Sequence, residues 1–330
     1  MTNRRILCAV AAGLLVSQVF FSRVHAQPSS ASTYPNKPIR FVVPFPPQGF
    51  SEVIGRIIAE KLSVTVQQPV VSDVRPGASG NIGAAIVAKA APDGYTLLVN
   101  SFNFVANPGA MVLPFDPIRD FAPVSLVADG MPIIFVVNRS SPYKTLQDLL
   151  AAARARPGAL NFATAGRGTS SHLAIEMLKA STGIEVTQVP YKGTLLSFTA
   201  LMGGDITASI AYLSSALPLL RGGQLRGLAT TGTRRSPSVS DLPTMTELGF
   251  KDFTMTGFVG LLAPAKTPRA IIERLNRELA GVARQKDFAD RLALYDMQPV
   301  TTSPEAFGSY LEKEIARWTK VLRDAGYKPE

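Results

Sequence analysis

Short apolar runs alternate with amphipathic stretches along most of this chain, and that alternation constrains the fold more than any other feature of the sequence. Residues 39–45 and 132–137 have the length of buried strands, whereas residues 51–66 carry apolar side chains at the spacing of one helix face. Strands and helices that alternate in this way predict an α/β fold. The chain has 330 residues, which is enough for two domains with separate cores.

The predicted elements form two series and a helical tail. The first series has strands at 39–45, 69–74, 95–99 and 132–137, helices at 51–66 and 81–90, and a polar turn at 100–103. The second has strands at 160–163, 186–189, 206–212, 225–231 and 253–263, helices at 146–156, 170–182 and 195–202, and a helical turn at 217–220. The tail helices are 269–284 and 304–325.

Two series with a closing tail predict two lobes. We expect residues 34–131 and 253–330 in lobe one and residues 132–252 in lobe two. The chain then crosses twice between the lobes, and two crossings form a hinge beside a cleft where the strand ends meet.

The first 26 residues have the pattern of a secretory signal peptide. Arg4 and Arg5 precede a mostly apolar stretch at 6–21, and Val24-His25-Ala26 provides small residues for cleavage. A membrane span needs about 20 apolar residues, so this stretch is short for an uncleaved anchor, which is the alternative. We therefore expect export to the periplasm and removal of residues 1–26.

Removal of the signal leaves few reactive side chains. The whole chain has one cysteine, two histidines and a formal charge of +10, and Cys8, His25 and the three arginines at 4, 5 and 23 lie in the predicted signal. Because that segment has no acidic residue, the mature chain has a charge of +7, no cysteine, and His172 as its one histidine. A disulfide framework and a Cys/His zinc site are excluded.

The basic residues are dispersed along the chain. Their closest groupings are Arg154 with Arg156 and Arg234 with Arg235, whereas a nucleic-acid-binding surface needs a cluster on one element. We expect a solvated basic surface that steers an anionic small ligand and does not bind nucleic acid.

Two predicted strand-to-helix turns are candidate anion sites. In the second turn, Gly166 and Gly168 permit close backbone approach, Thr169 or Ser170 can cap the helix, and Arg167 can bind a carboxylate through two hydrogen bonds. A helix start also points N–H groups outward toward an anion. An ordinary capped helix without a ligand is the alternative.

The first turn is of the same kind. Gln48, Gly49 and Phe50 lead into the helix at 51–66, with Ser51 as a candidate cap. A tight turn without a ligand is again the alternative. One such turn in each lobe favours a carboxylate held between them.

An exported α/β hydrolase that acts on a small ester or amide is the alternative function. Its nucleophile is expected in a Gly-x-Ser-x-Gly turn, and the sequence has no such motif. His172 follows Ser170 and Ser171 at a helix start, where neighbouring side chains point to different faces. We therefore predict that His172 holds the turn or the helix by a hydrogen bond.

Eight segments, taken together and in order, resemble the Bug receptors, the solute-binding family of the tripartite tricarboxylate transporters. They are residues 34–40, 43–47, 75–78, 80–83, 89–98, 168–173, 189–193 and 215–218. The resemblance implies a periplasmic-binding-protein fold of type II, with two lobes that close over a small carboxylated ligand. The family binds di- and tricarboxylates, some amino acids and aromatic carboxylates, and we expect a di-, tri- or aromatic carboxylate here. It implies no cofactor and no catalysis. Some members of the family pass the ligand to a membrane permease, whereas others are orphan receptors or signal to sensors. We expect a monomer without a metal site, with a tripartite permease or a sensor kinase as the candidate partner.

The resemblance also assigns ligand contacts by position. In lobe one these are Phe45, Gly49, Phe50 and Ser51; in lobe two they are Ala165, Gly166, Gly168, Thr169 and Ser170, with the strand end at Ala211 reading the rest of the ligand. To these we add Gln48, Ser101, Phe102, Arg167, His172 and Tyr212 as candidate ligand-binding residues.

The sequence departs from the family pattern at positions that set specificity. Gln48 replaces a glycine, Glu52 replaces the usual Asp, and Ala211-Tyr212-Leu213 stands where the family often has Phe-Asp-Asn. Without that acid, a buried ammonium group of a ligand has no partner. We therefore expect Tyr212, Phe50 and Phe102 to line the cleft for an apolar or aromatic acid.

Overall fold

The computed structural model describes residues 34–45, 49–166 and 168–329. The predicted signal peptide and the candidates Gln48 and Arg167 lie outside these residues. The strands are β1 (Ile39–Val43), β2 (Val70–Val74), β3 (Thr96–Ser101), β4 (Phe121–Asn138), β5 (Asn161–Thr164), β6 (Thr187–Pro190), β7 (Ala208–Tyr212), β8 (Leu225–Thr230), β9 (Thr256–Pro264) and β10 (Gln298–Pro299).

Helices lie between most of these strands and at the end of the chain. They are α1 (Phe50–Val66), α2 (Asn81–Ala88), α3 (Phe102–Ala110), α4 (Leu146–Ala155), α5 (Ser170–Thr182), α6 (Thr194–Gly203), α7 (Leu213–Arg221), α8 (Arg269–Ala283), α9 (Lys286–Ala293) and α10 (Pro304–Asp324). In the described part of the chain, none of them is long and apolar enough to cross a membrane.

The strands form one curled sheet in the order β2-β1-β3-β9-β4-β7-β5-β6, with β8 and β10 paired to β4. Strand β1 is parallel to β2 and β3, and β5 is parallel to β6 and β7. Strand β9 is antiparallel to β3 and β4. Parallel strands joined through helices bring their carboxyl ends to one edge of each half of the sheet.

Strand β4 belongs to both halves of the sheet. It pairs with β9 as far as Pro132 and with β7 from Ile133 onward. Strands β1, β2, β3, β9 and β10 thus form lobe one, and β5 to β8 form lobe two, so the predicted α/β architecture of two lobes is confirmed. The residue limits that we gave for the lobes stay a prediction.

The cores follow this division, and the tail helix connects them. Ile58 and Leu62 of α1 share a buried cluster with Leu275 and Leu279 of α8 in lobe one. Helix α10 packs on α3 and also contacts α5 of lobe two. Its Trp318 is 1% exposed, which agrees with the core position expected for a large aromatic side chain.

The polar turn predicted at 100–103 is wrong. Strand β3 continues through Ser101, and helix α3 begins at Phe102 although it contains Pro108 and Gly109. A Cβ at Gly109 would lie 2.8 Å from Thr319 Cα, so the glycine that reads as a helix breaker lets α10 approach α3 closely. Tertiary packing here overrides the local preference of the sequence.

Candidate functional site

The two predicted turns follow β1 and β5 and lead into α1 and α5, and the lobes meet beside them. Phe50 is the first residue of α1, and Tyr212 is the last residue of β7. Their ring centroids are 4.8 Å apart with the planes tilted by 37°. An aromatic pair therefore joins the first turn of lobe one to a strand end of lobe two.

Gly257 of β9 lies against this pair. A Cβ built on it would be 2.8 Å from Tyr212 Cε1 and 3.1 Å from Phe50 Cζ. The rings occupy the space that any side chain at residue 257 requires. Gly257 was not among the predicted site residues, although a glycine inside a predicted strand is a signal of close approach.

Tyr212 connects the aromatic pair to the start of α5. Its hydroxyl is hydrogen-bonded to the Ser170 side chain, and burial raises the pKa of Tyr212 to about 12 against the opposing effect of that bond. The phenol is therefore neutral at physiological pH. A neutral hydroxyl stands where the family pattern has a carboxylate.

The turn before α5 is stabilised by hydrogen bonds within its own segment. Backbone N–H groups of Ala165, Gly166 and Gly168 donate to Ser171 Oγ at 2.9 Å, Thr164 Oγ1 at 3.1 Å and His172 Nδ1 at 3.2 Å. Thr169 Oγ1 donates to the Gly166 carbonyl at 2.6 Å and accepts from the His172 N–H at 3.5 Å. The hydrogen bond predicted for His172 is confirmed, whereas its contact with a ligand stays a prediction.

The start of α5 is buried beside Tyr212, with Ser170 and Ser171 7% and 3% exposed. The first N–H groups of a helix have no partner inside the helix, and those of Ser170 and Ser171 belong to this set. No acidic residue stands in the first turn of α5, whereas Glu52 lies in the first turn of α1. The positive end of the α5 dipole is therefore the better place for an anion.

Gly168 makes a second contact between the lobes. It has φ +73°, and a Cβ on it would lie 3.1 Å from Asn107 Oδ1 and 3.2 Å from Ala110 Cβ of α3. Because both the backbone angle and the close approach favour glycine, the sequence at this point allows the two lobes to touch.

Phe45 and Ser101 line a small cavity of about 10 Å³ at the carboxyl ends of β1 and β3. Asn100 and Asn107 line it as well, and sequence analysis did not select them as site residues. Both are buried, and the signal available for Asn100 was its place directly after the strand predicted at 95–99.

Phe102 packs in the core beside α10. It is 2% exposed, and its ring packs edge-on against Trp318 with the centroids 4.9 Å apart. The expectation that Phe102 lines the cleft is corrected by this position, since its ring fills the core beneath α10. Ala211 and Ser51 are buried next to the site, while Gly49 and Gly166 are half-buried on its two sides.

A larger cavity, of about 370 Å³, lies at the opposite end of lobe one. Its one lining arginine, Arg269, already pairs with Glu273 and Glu305, and Glu312 adds a further negative charge. This cavity repels a carboxylate, so we place the candidate site in the cleft. Among the described residues, no group of histidine and acidic side chains is arranged to hold a metal ion.

Comparison with known proteins gives consistent matches over nearly the whole chain. A family model described as the tripartite tricarboxylate transporter family receptor matches residues 54–327. The protein BugT of Bordetella pertussis is 37% identical over 306 residues, which is 92% of this chain and 94% of that protein.

Two solved structures with bound ligands are similar in fold and sequence. R. palustris Rpa4515 with adipate superposes with a TM-score of 0.83 and 35% identity, over 90% of this chain and 100% of the other. MatC from Rhodopseudomonas palustris with bound malate gives a TM-score of 0.78 and 30% identity, over 88% and 100%.

Proposed function

Because the chain belongs to the receptor family of the tripartite tricarboxylate transporters, we propose that it is a periplasmic solute-binding protein that captures a small organic carboxylate between its lobes. The observation that carries this proposal is the meeting of Phe50, Tyr212 and Ser170, which brings a helix start from each lobe to one place. Adipate and malate, bound by the two similar structures, are carboxylates and support the ligand class.

The carboxylate binds at the start of α5. The N–H groups of Ser170 and Ser171 and the hydroxyl of Ser170 supply hydrogen bonds without requiring a lysine. The Thr169 hydroxyl donates to the Gly166 carbonyl and holds the turn in shape. The internal bonds of the turn hold these groups in place before the ligand arrives, which lowers the entropy cost of binding. Arg167 is a further candidate for binding the carboxylate. An Arg167→Ala variant with unchanged carboxylate affinity would rule out this role.

The ligand carries no ammonium group. Tyr212 is neutral where the family pattern has an acid, so a buried ammonium would lose its water without gaining a counter-charge. The Asp129 carboxyl near the lobe crossing accepts hydrogen bonds from the Gly130 N–H and the Thr256 hydroxyl on Oδ1, and burial raises its pKa, which disfavours the charged form. The rings of Phe50 and Tyr212 give the ligand an apolar surface instead.

Calorimetric titration and thermal unfolding test this function with adipate, malate, citrate and benzoate against aspartate and glutamate. We expect at least one amine-free carboxylate to bind and raise the melting temperature without being converted, and the two amino acids to bind weakly. Tight binding of aspartate or glutamate alone would overturn the ligand class. Binding of none of the six would overturn the carboxylate function.

Two serines of α5 provide a matched control for the position of the site. Ser170→Ala removes a hydroxyl at the helix start and should lower affinity about fivefold to tenfold. Ser181→Ala removes the hydroxyl that donates to the Met177 carbonyl near the other end and should leave affinity unchanged. Equal affinities in the two variants would place the carboxylate elsewhere.

We also propose export and a membrane partner. Residues 1–26 act as a cleaved signal in this proposal, which predicts that the protein recovered from the periplasm begins at Gln27. A tripartite permease or a sensor receives the loaded receptor, and the family description supports the permease. Intact-mass measurement of a periplasmic extract tests the cleavage site.

The lobes are proposed to divide at residues 131/132 and 252/253. The change of partner along β4 after Pro132 supports the first limit. At the second, the Met255 N–H donates to the Thr231 carbonyl, and the Thr231 hydroxyl donates to the Met255 carbonyl. A ligand-dependent decrease in the radius of gyration would agree with a hinge between these limits.

A further inference from the structure

Asn100 is a buried amide whose hydrogen-bonding groups are unused. It lies next to the end of β3 and is 1% exposed. Within the part of the chain that the structure describes, neither Nδ2 nor Oδ1 of Asn100 has a hydrogen-bond partner. Buried amide groups are nearly always paired, so this exception needs a functional or solvent explanation.

Asn107 faces the same cavity with a second unused group. Its Nδ2 donates to the Ser79 carbonyl at 3.0 Å and to Asn81 Oδ1 at 2.8 Å, which fixes the orientation of the amide. Its Oδ1 has no partner among the described residues, and the backbone of Gly168 approaches that oxygen from lobe two. The cavity therefore presents an oriented acceptor beside the lobe contact.

The cavity is small and uncharged. Its volume of about 10 Å³ is near the space that one water oxygen needs. Its lining contains amides, hydroxyls and apolar groups, with no basic or acidic side chain. A carboxylate is too large for this space and would have no counter-charge in it, and an ammonium would have no anion.

We propose that Asn100 and Asn107 form a subsite for one hydroxyl group of the ligand, so that the receptor selects hydroxylated carboxylates. A hydroxyl both donates and accepts, whereas a carboxylate only accepts. The ligand hydroxyl donates to Asn107 Oδ1 and accepts from Asn100 Nδ2, and these bonds pair two of the three unused amide atoms. This inference rests on the carboxylate function proposed above and names the substrate class more closely.

The test uses pairs of ligands that differ by one hydroxyl: malate with succinate, 2-hydroxyglutarate with glutarate, and 3-(4-hydroxyphenyl)propanoate with 3-phenylpropanoate. Calorimetry should give at least about tenfold tighter binding of the hydroxylated member in one or more pairs, because a site that hydrogen-bonds a hydroxyl rejects the analogue without it. In Asn100→Leu, the ratio should fall to about one, with the affinity of the deoxy member changed less than about threefold.

Asn103→Leu is the matched control, since Asn103 lies on the same segment but does not line the cavity. It should keep the wild-type ratio. Asn100→Ser serves if the leucine variant does not fold, and the Asn100 side-chain amide resonances in the wild-type protein should shift with the hydroxylated ligand only.

Three results would overturn the subsite. Plain carboxylates could bind without any hydroxyl preference, which leaves the carboxylate function intact. The preference could persist in Asn100→Leu and Asn100→Ser, which would place the hydroxyl elsewhere. Failure of every carboxylate to bind would remove both proposals together.

Discussion

The turns that precede α1 and α5 approach the same cleft but are stabilised in different ways. In lobe two, Ala165 and Gly168 donate their N–H groups to side chains of the same segment, and Thr169 caps the helix. In lobe one, α1 starts after Gly49, which has no side chain to cap it, and the ring of Phe50 rests on groups from other elements. The α5 turn is therefore stabilised by hydrogen bonds within its own segment, whereas the α1 turn depends on contacts with other elements.

This difference indicates separate roles for the two turns. The α5 turn can hold an anion before the lobes meet, because its hydrogen bonds are made within its own segment. The ring of Phe50 gains its contact with Tyr212 only when lobe two is beside it. Damage to the α5 turn should therefore weaken every step of binding, whereas damage around Phe50 should weaken only the closing of the lobes.

Gly168→Ala is expected to have the largest effect. Alanine in the left-handed region costs about 1 kcal/mol, and the tight approach to Asn107 and Ala110 adds about 1–3 kcal/mol. If the second cost falls on the contact between the lobes, ligand affinity drops about 5- to 150-fold by calorimetry.

Gly183→Ala separates the two costs of the previous variant. Gly183 ends the same helix with φ +67°, and no atom lies within 4 Å of the place that a Cβ would occupy on it. Its variant should lose about 1 kcal/mol of unfolding free energy and no affinity. Equal losses of affinity at both glycines would show that the lobe contact of Gly168 has no part in binding.

His172→Leu tests the local construction of the α5 turn. The variant leaves the Gly168 N–H without its acceptor and should cost about 1–3 kcal/mol of stability and about tenfold in affinity. His172→Asn offers an amide oxygen near the position of Nδ1 and should recover most of both. A leucine variant with normal affinity would contradict the view that the turn is preformed.

The sequence was sufficient for most of the regular elements, although helices α3 and α9 and the short strand β10 were not predicted. Helix α5 begins and ends at the predicted residues 170 and 182, because Thr169 and Gly183 are strong local signals. The first half of β4 was missed, since Pro123 and Gly130 read as breaks. In the folded protein the pairing with β9 passes both positions with register shifts.

The site could be predicted only in part, for a related reason. Both turns are visible in the sequence because glycines and hydroxyl residues follow predicted strands. Contacts made across the lobes leave at most a weak local signal, since a glycine inside a predicted strand does not show which side chains approach it, and Gly257 and Asn107 were not found. Phe102 was misplaced because its neighbour Ser101 ends the strand, and the helix that follows turns the ring toward Trp318.

Gly257→Ala tests the lobe-one side of the comparison. The added Cβ meets the ring edges of Tyr212 and Phe50, which can shift, so we expect about a fivefold to tenfold loss of affinity. Gly281→Ala in α8 adds the same atom to open space and should leave affinity unchanged. Wild-type affinity in the Gly257 variant would show that the aromatic pair is not part of the binding conformation.

Tyr212→Phe should have the smallest effect, since it keeps the ring contact and removes one hydrogen bond to Ser170. We expect about a threefold loss of affinity, and none in the control Tyr95→Phe, whose hydroxyl bonds to Asn36 on the surface.

The Tyr212→Phe variant also tests how the stability of the protein depends on pH. Burial raises the pKa of Tyr212 to about 12, whereas a tyrosine in the unfolded chain ionises near 10.0. Between these values the folded protein keeps a proton that the unfolded chain releases, so wild-type stability should fall relative to Tyr212→Phe as the pH rises from 10 to 12. Denaturation curves that stay parallel over this range would show that the phenol is solvated, and the lobe contact would then have to be looser than the ring distance indicates.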